Sequence, residues 1–280
     1  MPISLPSIRD VKVKGKRVLL RVDFNVLFSD GKMEDVYRIK KTIPTIEYLS
    51  KQGAKVIIIS HLSSGKNGSL ASVAEYLNIG NYYFLVKFIK ALDLNLIAER
   101  LKGMKDGDVA MLENIRLHKE EEENDDNFAK KLSELGDIFV NDAFSVSHRQ
   151  HTSIVGILKY LPSYAGFLFE EEVKGFESAF SPERPFLILL GGVKVETKLG
   201  VIDRFLSIAD KIFIGGALAN NFLKAKGMDI GNSILSENIP VEKYLNNEKI
   251  FFPADVRMKD GKIYDIGEKA VKKVLSLIKE

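Results

Sequence analysis

The sequence predicts an α/β protein with mostly parallel sheets, and three observations lead there. Short apolar runs rich in Val, Ile, Leu and Phe alternate with amphipathic segments along nearly the whole chain, the rhythm of repeated strand–helix units. The runs are apolar at successive positions, as parallel strands covered on both faces require. Polar residues and glycines gather where the runs end, the side on which open α/β sheets bind ligands.

The strand candidates are 17–26, 55–60, 84–89, 108–112, 137–140, 186–190, 211–214 and 249–252. Ile39, Ile43, Ile46 and Leu49 fall on one helical face, and Gly53 suits the stop that follows. Asn124 is placed to cap the segment bearing Phe128, Leu132 and Leu135. The acidic run from Glu120 to Glu123 reads as a solvated surface turn. From His151 to Phe180 there is no strand candidate, only a turn and then a long helix, which Pro182 and Pro185 close. The expected organisation is a first domain over 1–155, a connecting hinge and helix over 156–184, and a second domain over 185–280.

With 280 residues, 45% hydrophobic and 28% charged, the chain can bury the cores of two ordinary domains. Its 41 basic and 38 acidic residues are too balanced for a nucleic-acid partner, though a local basic cleft could still attract a small anion. The absence of cysteine excludes disulfides, thiolate catalysis and Cys-ligated metals. No run approaches the roughly 20 apolar residues of a membrane span, and the first residues lack the apolar core of a signal peptide. A cytoplasmic location is expected, with no dedicated metal cage.

The polar residues at the strand ends are Arg21, Asp23 and Asn25 after the first run, His61 after the second, and Glu113, Asn114 and Arg116 after the fourth. Asn141 and Asp142 end the fifth, followed by His148, Arg149 and His151. The sixth and seventh end in Gly191-Gly192 and Gly215-Gly216. Two lysines, Lys194 and Lys198, stand where the next helix should begin, and cations there oppose the helix dipole. Each piece has an ordinary structural explanation: turn residues ending a strand, a satisfied histidine, surface ion pairs, solvating lysines. Together they suggest two phosphate-bearing ligands. Neither a G-x-x-x-x-G-K-[ST] loop nor a G-x-G-x-x-G turn is present, which disfavours a dinucleotide-binding dehydrogenase.

The segments "RVLLRVDFNV", "DVYRIKKTIPTI", "GAKVIIISHL", "LENIRLH", "VNDAFSVSHRQHTS" and "LLGGVKVETK" resemble phosphoglycerate kinase, in uninterrupted order from about Val11 to Ile266. The resemblance implies two Rossmann-like domains, the first binding 3-phosphoglycerate and the second ATP, in a monomeric enzyme of glycolysis. Magnesium would arrive as MgATP. Carried over, Asp23, Phe24, Asn25, Arg38, His61, Arg116 and Arg149 bind the acid, with Ser64 at a further position of that set. Gly191, Gly192, Lys198, Gly215 and Gly216 bind the nucleotide, and Arg38, Lys194 and Lys198 serve the transferred phosphoryl group.

Two departures from the family pattern stand out. The family's Gly-Arg-Pro after "ISHL" is Ser63-Ser64-Gly65 here, so Ser64 replaces an arginine, with Lys66 as a candidate substitute. The family continues past the position of Glu280 with a Trp-Asn-Gly-Pro motif and a Gly-Gly-Gly-Asp turn, so the second domain is expected to be incomplete. That raises an alternative: a non-catalytic homologue that still binds phosphoglycerate through its first domain.

Overall fold

The computed structural model describes residues 4–29, 32–63, 68–193, 195–237 and 239–279. The chain divides into two compact units, Met1–Glu177 and Ser178–Glu280. The α/β class with mostly parallel sheets is what both contain.

In the first unit the elements run β1 (Arg17–Val22), a small hairpin of β2 (Phe28–Ser29) and β3 (Lys32–Met33), α1 (Tyr37–Lys51), β4 (Lys55–Ile59), α2 (Ala71–Ile79) and β5 (Val86–Ile89). They continue with α3 (Leu94–Leu101), β6 (Val109–Leu112), α4 (Lys119–Glu122), α5 (Asp126–Ser133), β7 (Ile138–Asp142), β8 (Ser163–Ala165) and α6 (Phe167–Phe180). Six strands pair in the order β5-β6-β4-β1-β7-β8, every pair parallel. Chain order reverses about β1, so a crevice is expected beyond its carboxyl end.

Side-chain alternation sends Leu20 and Val22 to one face and Leu19 to the other. The first face packs on Ile39, Ile46 and Leu49 of α1 and Val73 and Leu77 of α2. The second packs on Ile97 and Leu101 of α3 and Phe128 and Leu132 of α5. Helices on both faces explain why the strands read as continuous apolar runs. Gly53 follows α1 with φ 77, the left-handed stop its position suggested.

Three local readings are corrected. β8 lies in the segment that offered no strand. It has three residues, too few for a period to show, and is selected by pairing with β7 (Phe139 with Ser163) and by the bridge from Ser7 to Ala165. The cap of α5 is Asp125, whose carboxylate accepts the N–H of Phe128 at 2.7 Å. Asn124 instead takes a left-handed φ of 53. Glu121, within the run read as solvated, is completely buried.

The second unit holds β9 (Leu187–Leu190), α7 (Glu196–Leu206), β10 (Lys211–Ile214), α8 (Ala219–Ala225), α9 (Glu242–Leu245), β11 (Ile250–Phe251), β12 (Val256–Lys259), β13 (Lys262–Ile266) and α10 (Glu268–Lys279). Three parallel strands pair in the order β11-β10-β9, over a core of Ile202, Ile212, Ile214, Phe222 and Tyr244. The antiparallel hairpin β12–β13 turns at Asp260 (φ 50) and Gly261 (φ 70). Asp-Gly is the residue pair such a tight turn favours.

Asp142, at the end of β7, tests how the first unit tolerates a buried charge. Its Oδ1 accepts the N–H of Phe169 in the first turn of α6 at 3.0 Å. A Cβ on Gly166 would sit 2.3 Å from that same oxygen, so only glycine allows the approach. Burial pushes the carboxyl up from the ordinary 3.8 to about 6, against the pull of the Phe169 and Leu168 amides. The raised folded value means that stability from the protonated form is complete below about pH 3.8 and is lost as pH rises to about 6, on the order of 3 kcal/mol in all. Asp142→Asn, which mimics the protonated group, should therefore raise the urea midpoint of the first unit by an amount that grows across this window and levels off above it. Equal midpoints for variant and wild type at neutral pH would contradict the expectation.

Candidate active site

Near the carboxyl end of β1 the chain places a charge where few proteins tolerate one. Arg21 is fully buried, and each nitrogen of its guanidinium has a partner. Nε donates to the Ser153 hydroxyl at 2.9 Å, Nη1 to the Val22 carbonyl, and Nη2 meets Nδ1 of His61 at 3.2 Å. Ser153 passes the contact on: its hydroxyl donates to Glu121 Oε1 at 2.6 Å and its N–H to Oε2 at 2.9 Å. Burial pushes Glu121 up, and the Arg21 charge opposes that push. Burial also lowers Arg21 to about 10, so the guanidinium stays charged at neutral pH.

Arg21 dictates the state of His61. A guanidinium can only donate, so Nδ1 accepts and the proton rests on Nε2. Burial, then the charges of Arg21, Arg116 and Arg149, depress His61 to about 2. The imidazole is neutral under all ordinary conditions.

Asp23 follows β1 and is 7% exposed. Its Oδ1 accepts the N–H of Asn25 at 3.0 Å, and its Oδ2 accepts Nη1 of Arg38 at 2.7 Å. Asn25 in turn accepts the N–H of Ser63 at 2.8 Å, which holds the loop after β4 against the loop after β1. Phe24 buries its ring in the core, and its N–H goes to the Ser60 hydroxyl at 2.9 Å. What it offers the site is backbone placement.

Arg116 sits on a turn that Asn114 builds by accepting the N–H groups of Leu62 and Arg116 at 3.2 and 3.1 Å. Its Nη1 donates to Ser63 Oγ at 2.7 Å. Among the described residues Nε and Nη2 are buried without hydrogen-bond partners, although Nε lies 3.4 Å from Glu122 Oε1. Nδ1 of His151 is another buried atom without a hydrogen-bond partner among the described residues, 4.0 Å from Glu121. Burial and then the Arg149 charge lower Arg116, and burial and then Arg116 lower His151. Arg21, Arg116 and Arg149 thus press on one another around His61 and His151. Buried donors are normally paired, and two of the Arg116 donors find no acceptor among the described residues. A small anion would complete the cluster. Ser64 and Lys66 lie outside the described residues.

In the second unit the glycine turns meet. A Cβ on Gly191 would lie 3.6 Å from the Gly215 carbonyl oxygen, and one on Gly216 would lie 3.7 Å from the Gly192 nitrogen. Gly192 (φ 144) and Gly216 (φ 60) adopt backbone conformations that favour glycine. Lys198 stands in the first turn of α7, with its Cε 3.5 Å from where a Gly192 Cβ would be. A lysine folded over two open glycine turns at a helix N-terminus suits a phosphate chain. Lys194 lies outside the described residues. Among the described residues no three His, Asp or Glu side chains converge as a metal site, and no helix is long and apolar enough to cross a membrane.

Sequence reasoning reached Arg21 as a strand-end residue but assigned it no role, and missed Ser60, Glu121 and Ser153. Their only signal was polarity at positions flanking apolar runs, which does not distinguish a buried network from a surface.

The family model described as phosphoglycerate kinase matches residues 8–280. A phosphoglycerate kinase of Thermosipho africanus is 47% identical over 240 residues, covering 83% of this chain and 59% of its own length. One of Pelotomaculum thermopropionicum is 44% identical over 272 residues, covering 91% of this chain and 68% of its own length. The crystal structure of the phosphoglycerate kinase from Pyrococcus horikoshii superposes with a TM-score of 0.85 at 30% identity, over 98% of this chain and 78% of that one. The chain therefore spans about three fifths to two thirds of the length of these curated relatives.

The state of His61 can be checked directly. Its ring signals in nitrogen-15 NMR should not titrate between about pH 8 and pH 4, and should report the neutral form protonated at Nε2. An inflection near the 6.5 of a free histidine would show that the Arg21 contact and the cationic surroundings do not hold in solution.

Proposed function

The chain belongs to the phosphoglycerate kinase family, and from that premise we propose that it transfers a phosphoryl group reversibly between ATP and the carboxylate of 3-phosphoglycerate. Nucleotide enters as MgATP. In this reading the enzyme is a cytoplasmic monomer of glycolysis. Asp23, Asn25, Arg38, His61, Arg116 and Arg149 hold the acid, with Ser64 counted in the same set by its position in the sequence. Gly191, Gly192, Gly215, Gly216 and Lys198 cradle the nucleotide phosphates.

The observation that supports the proposal is the pair of buried Arg116 donors with no hydrogen-bond partner among the described residues, in a cluster that Arg21 and Arg149 make cationic. It calls for a compact multiply charged anion, which the phosphate of 3-phosphoglycerate supplies. The chemistry needs little else from this unit. The attacking carboxylate is already ionised at neutral pH, so no general base is required, and a neutral His61 fits a donor of hydrogen bonds better than a proton acceptor. The transferred group needs positive charge and alignment. Arg38, Lys194 and Lys198 supply that charge in this reading. Each unit charge at about 4 Å contributes on the order of 4 kcal/mol of attraction at an effective dielectric near 20, before desolvation.

A coupled assay with 3-phosphoglycerate and MgATP, run beside calorimetry, tests the proposal. Arg38→Ala should lower kcat by about 10³–10⁵-fold with a much smaller change in KM. Turnover that survives the substitution would remove Arg38 from the chemistry. Binding of 3-phosphoglycerate should weaken with added salt and disappear when Arg116→Ala and Arg149→Ala are combined. Unchanged affinity in that double variant would show that the anion binds elsewhere. Binding without turnover would leave the acid site standing and refute the kinase.

A further inference from the structure

We propose that Ser145 is a positioning residue of the acid site, holding the Asp23 carboxylate in the orientation that presents Arg38 to the ligand. This rests on the function proposed above.

Asp23 Oδ2 accepts two donors at once, Nη1 of Arg38 and the hydroxyl of Ser145. The three side chains come from separate segments: Asp23 from the loop after β1, Arg38 from the first turn of α1, and Ser145 from the 3-10 turn Phe144–Val146 after β7. Among the described residues Arg38 makes one ion pair, with Asp23, and its side chain is 49% exposed. Its direction is therefore inherited from the carboxylate. On the other side, Oδ1 is tied to the Asn25 N–H. With Oδ1 held by a backbone group and Oδ2 by a hydroxyl, the carboxylate plane is fixed independently of Arg38. Without the hydroxyl, Oδ2 is held only by a half-exposed arginine, and the pair can turn together.

The hydroxyl is delivered from firm backbone. Phe144, next to Ser145, packs its ring against Phe169 at 5.5 Å and Phe176 at 5.3 Å. A depression of about 210 Å³ borders Asp23, Arg38 and Ser145, so the three groups face space that a ligand can reach. Ser147 in the same turn spends its hydroxyl on the Ala143 carbonyl at 3.1 Å. It provides a control that perturbs the turn without touching Asp23.

The experiment compares Ser145→Ala, Ser145→Thr and Ser147→Ala in the full chain. Ser145→Ala should lower kcat by about three- to thirtyfold, the size expected from one partly exposed hydrogen bond to a charged group, while KM for 3-phosphoglycerate changes less. Ser145→Thr keeps the hydroxyl and should recover most of the loss, and Ser147→Ala should match the wild type. A second readout needs no ligand: the Arg38 Nε–H signal in nitrogen-15 NMR should shift or broaden in Ser145→Ala and stay unchanged in Ser147→Ala. An unmoved Arg38 signal in Ser145→Ala overturns the proposal, as does an equal loss in Ser147→Ala. A wild-type chain that neither binds nor phosphorylates 3-phosphoglycerate refutes the function proposed above, and the Arg38 signal then decides the role of Ser145 by itself.

Discussion

The guanidinium of Arg21, buried at the end of the central strand of the first unit, is the constraint on which the candidate acid site depends. A charge taken out of water costs several kcal/mol unless every donor finds an acceptor and a countercharge stands close. The chain answers with Glu121 from α4, Ser153 from the loop after β7, His61 after β4 and the carbonyl of Val22. Each comes from a different segment. Satisfying one guanidinium therefore fixes the relative positions of loops at the rim of the sheet, and those loops carry Asn25, Arg116 and Arg149.

The same buried charge sets the electrostatic character of the rim. Burial, reinforced by the neighbouring arginine charges, lowers His61 and His151, so neither imidazole adds charge of its own. Glu121 is committed to Ser153, and Asp23 to Arg38 and Asn25. These acidic groups are thus spent internally, whereas Arg116 retains two buried donors with no hydrogen-bond partner among the described residues. Attraction for an anion follows from this imbalance within a few side chains, in a chain whose formal charge is only +3. The second unit solves a related problem with backbone, using glycine turns that leave room for a phosphate chain beside Lys198.

Much of this was legible in the sequence. The eight apolar runs all became strands, and in the first unit the cause is coverage of parallel strands on both faces, which needs apolar side chains at successive positions. The gathering of Asp23, Asn25, His61, Arg116 and Arg149 beyond one edge of a sheet followed from chain direction alone, since parallel strands present all their carboxyl ends together. Gly53 could be placed because a left-handed stop is a local backbone demand.

Tertiary structure decided what depends on partners distant in sequence. Glu121 belonged by composition to a solvated acidic run, and it is buried where Arg21 needs a countercharge and Ser153 an acceptor. Arg21 and Ser153 are 132 positions apart, and Ser145 and Asp23 are 122 apart. β8 is a strand only because β7 offers it an edge. Periodicity and turn chemistry are properties of neighbouring residues, so the sequence by itself determined the α/β class, the strands and the side of the sheet that binds. Burial of a charge and the sharing of a hydrogen bond depend on which segments the fold brings within about 3 Å, and no window of sequence contains that distance.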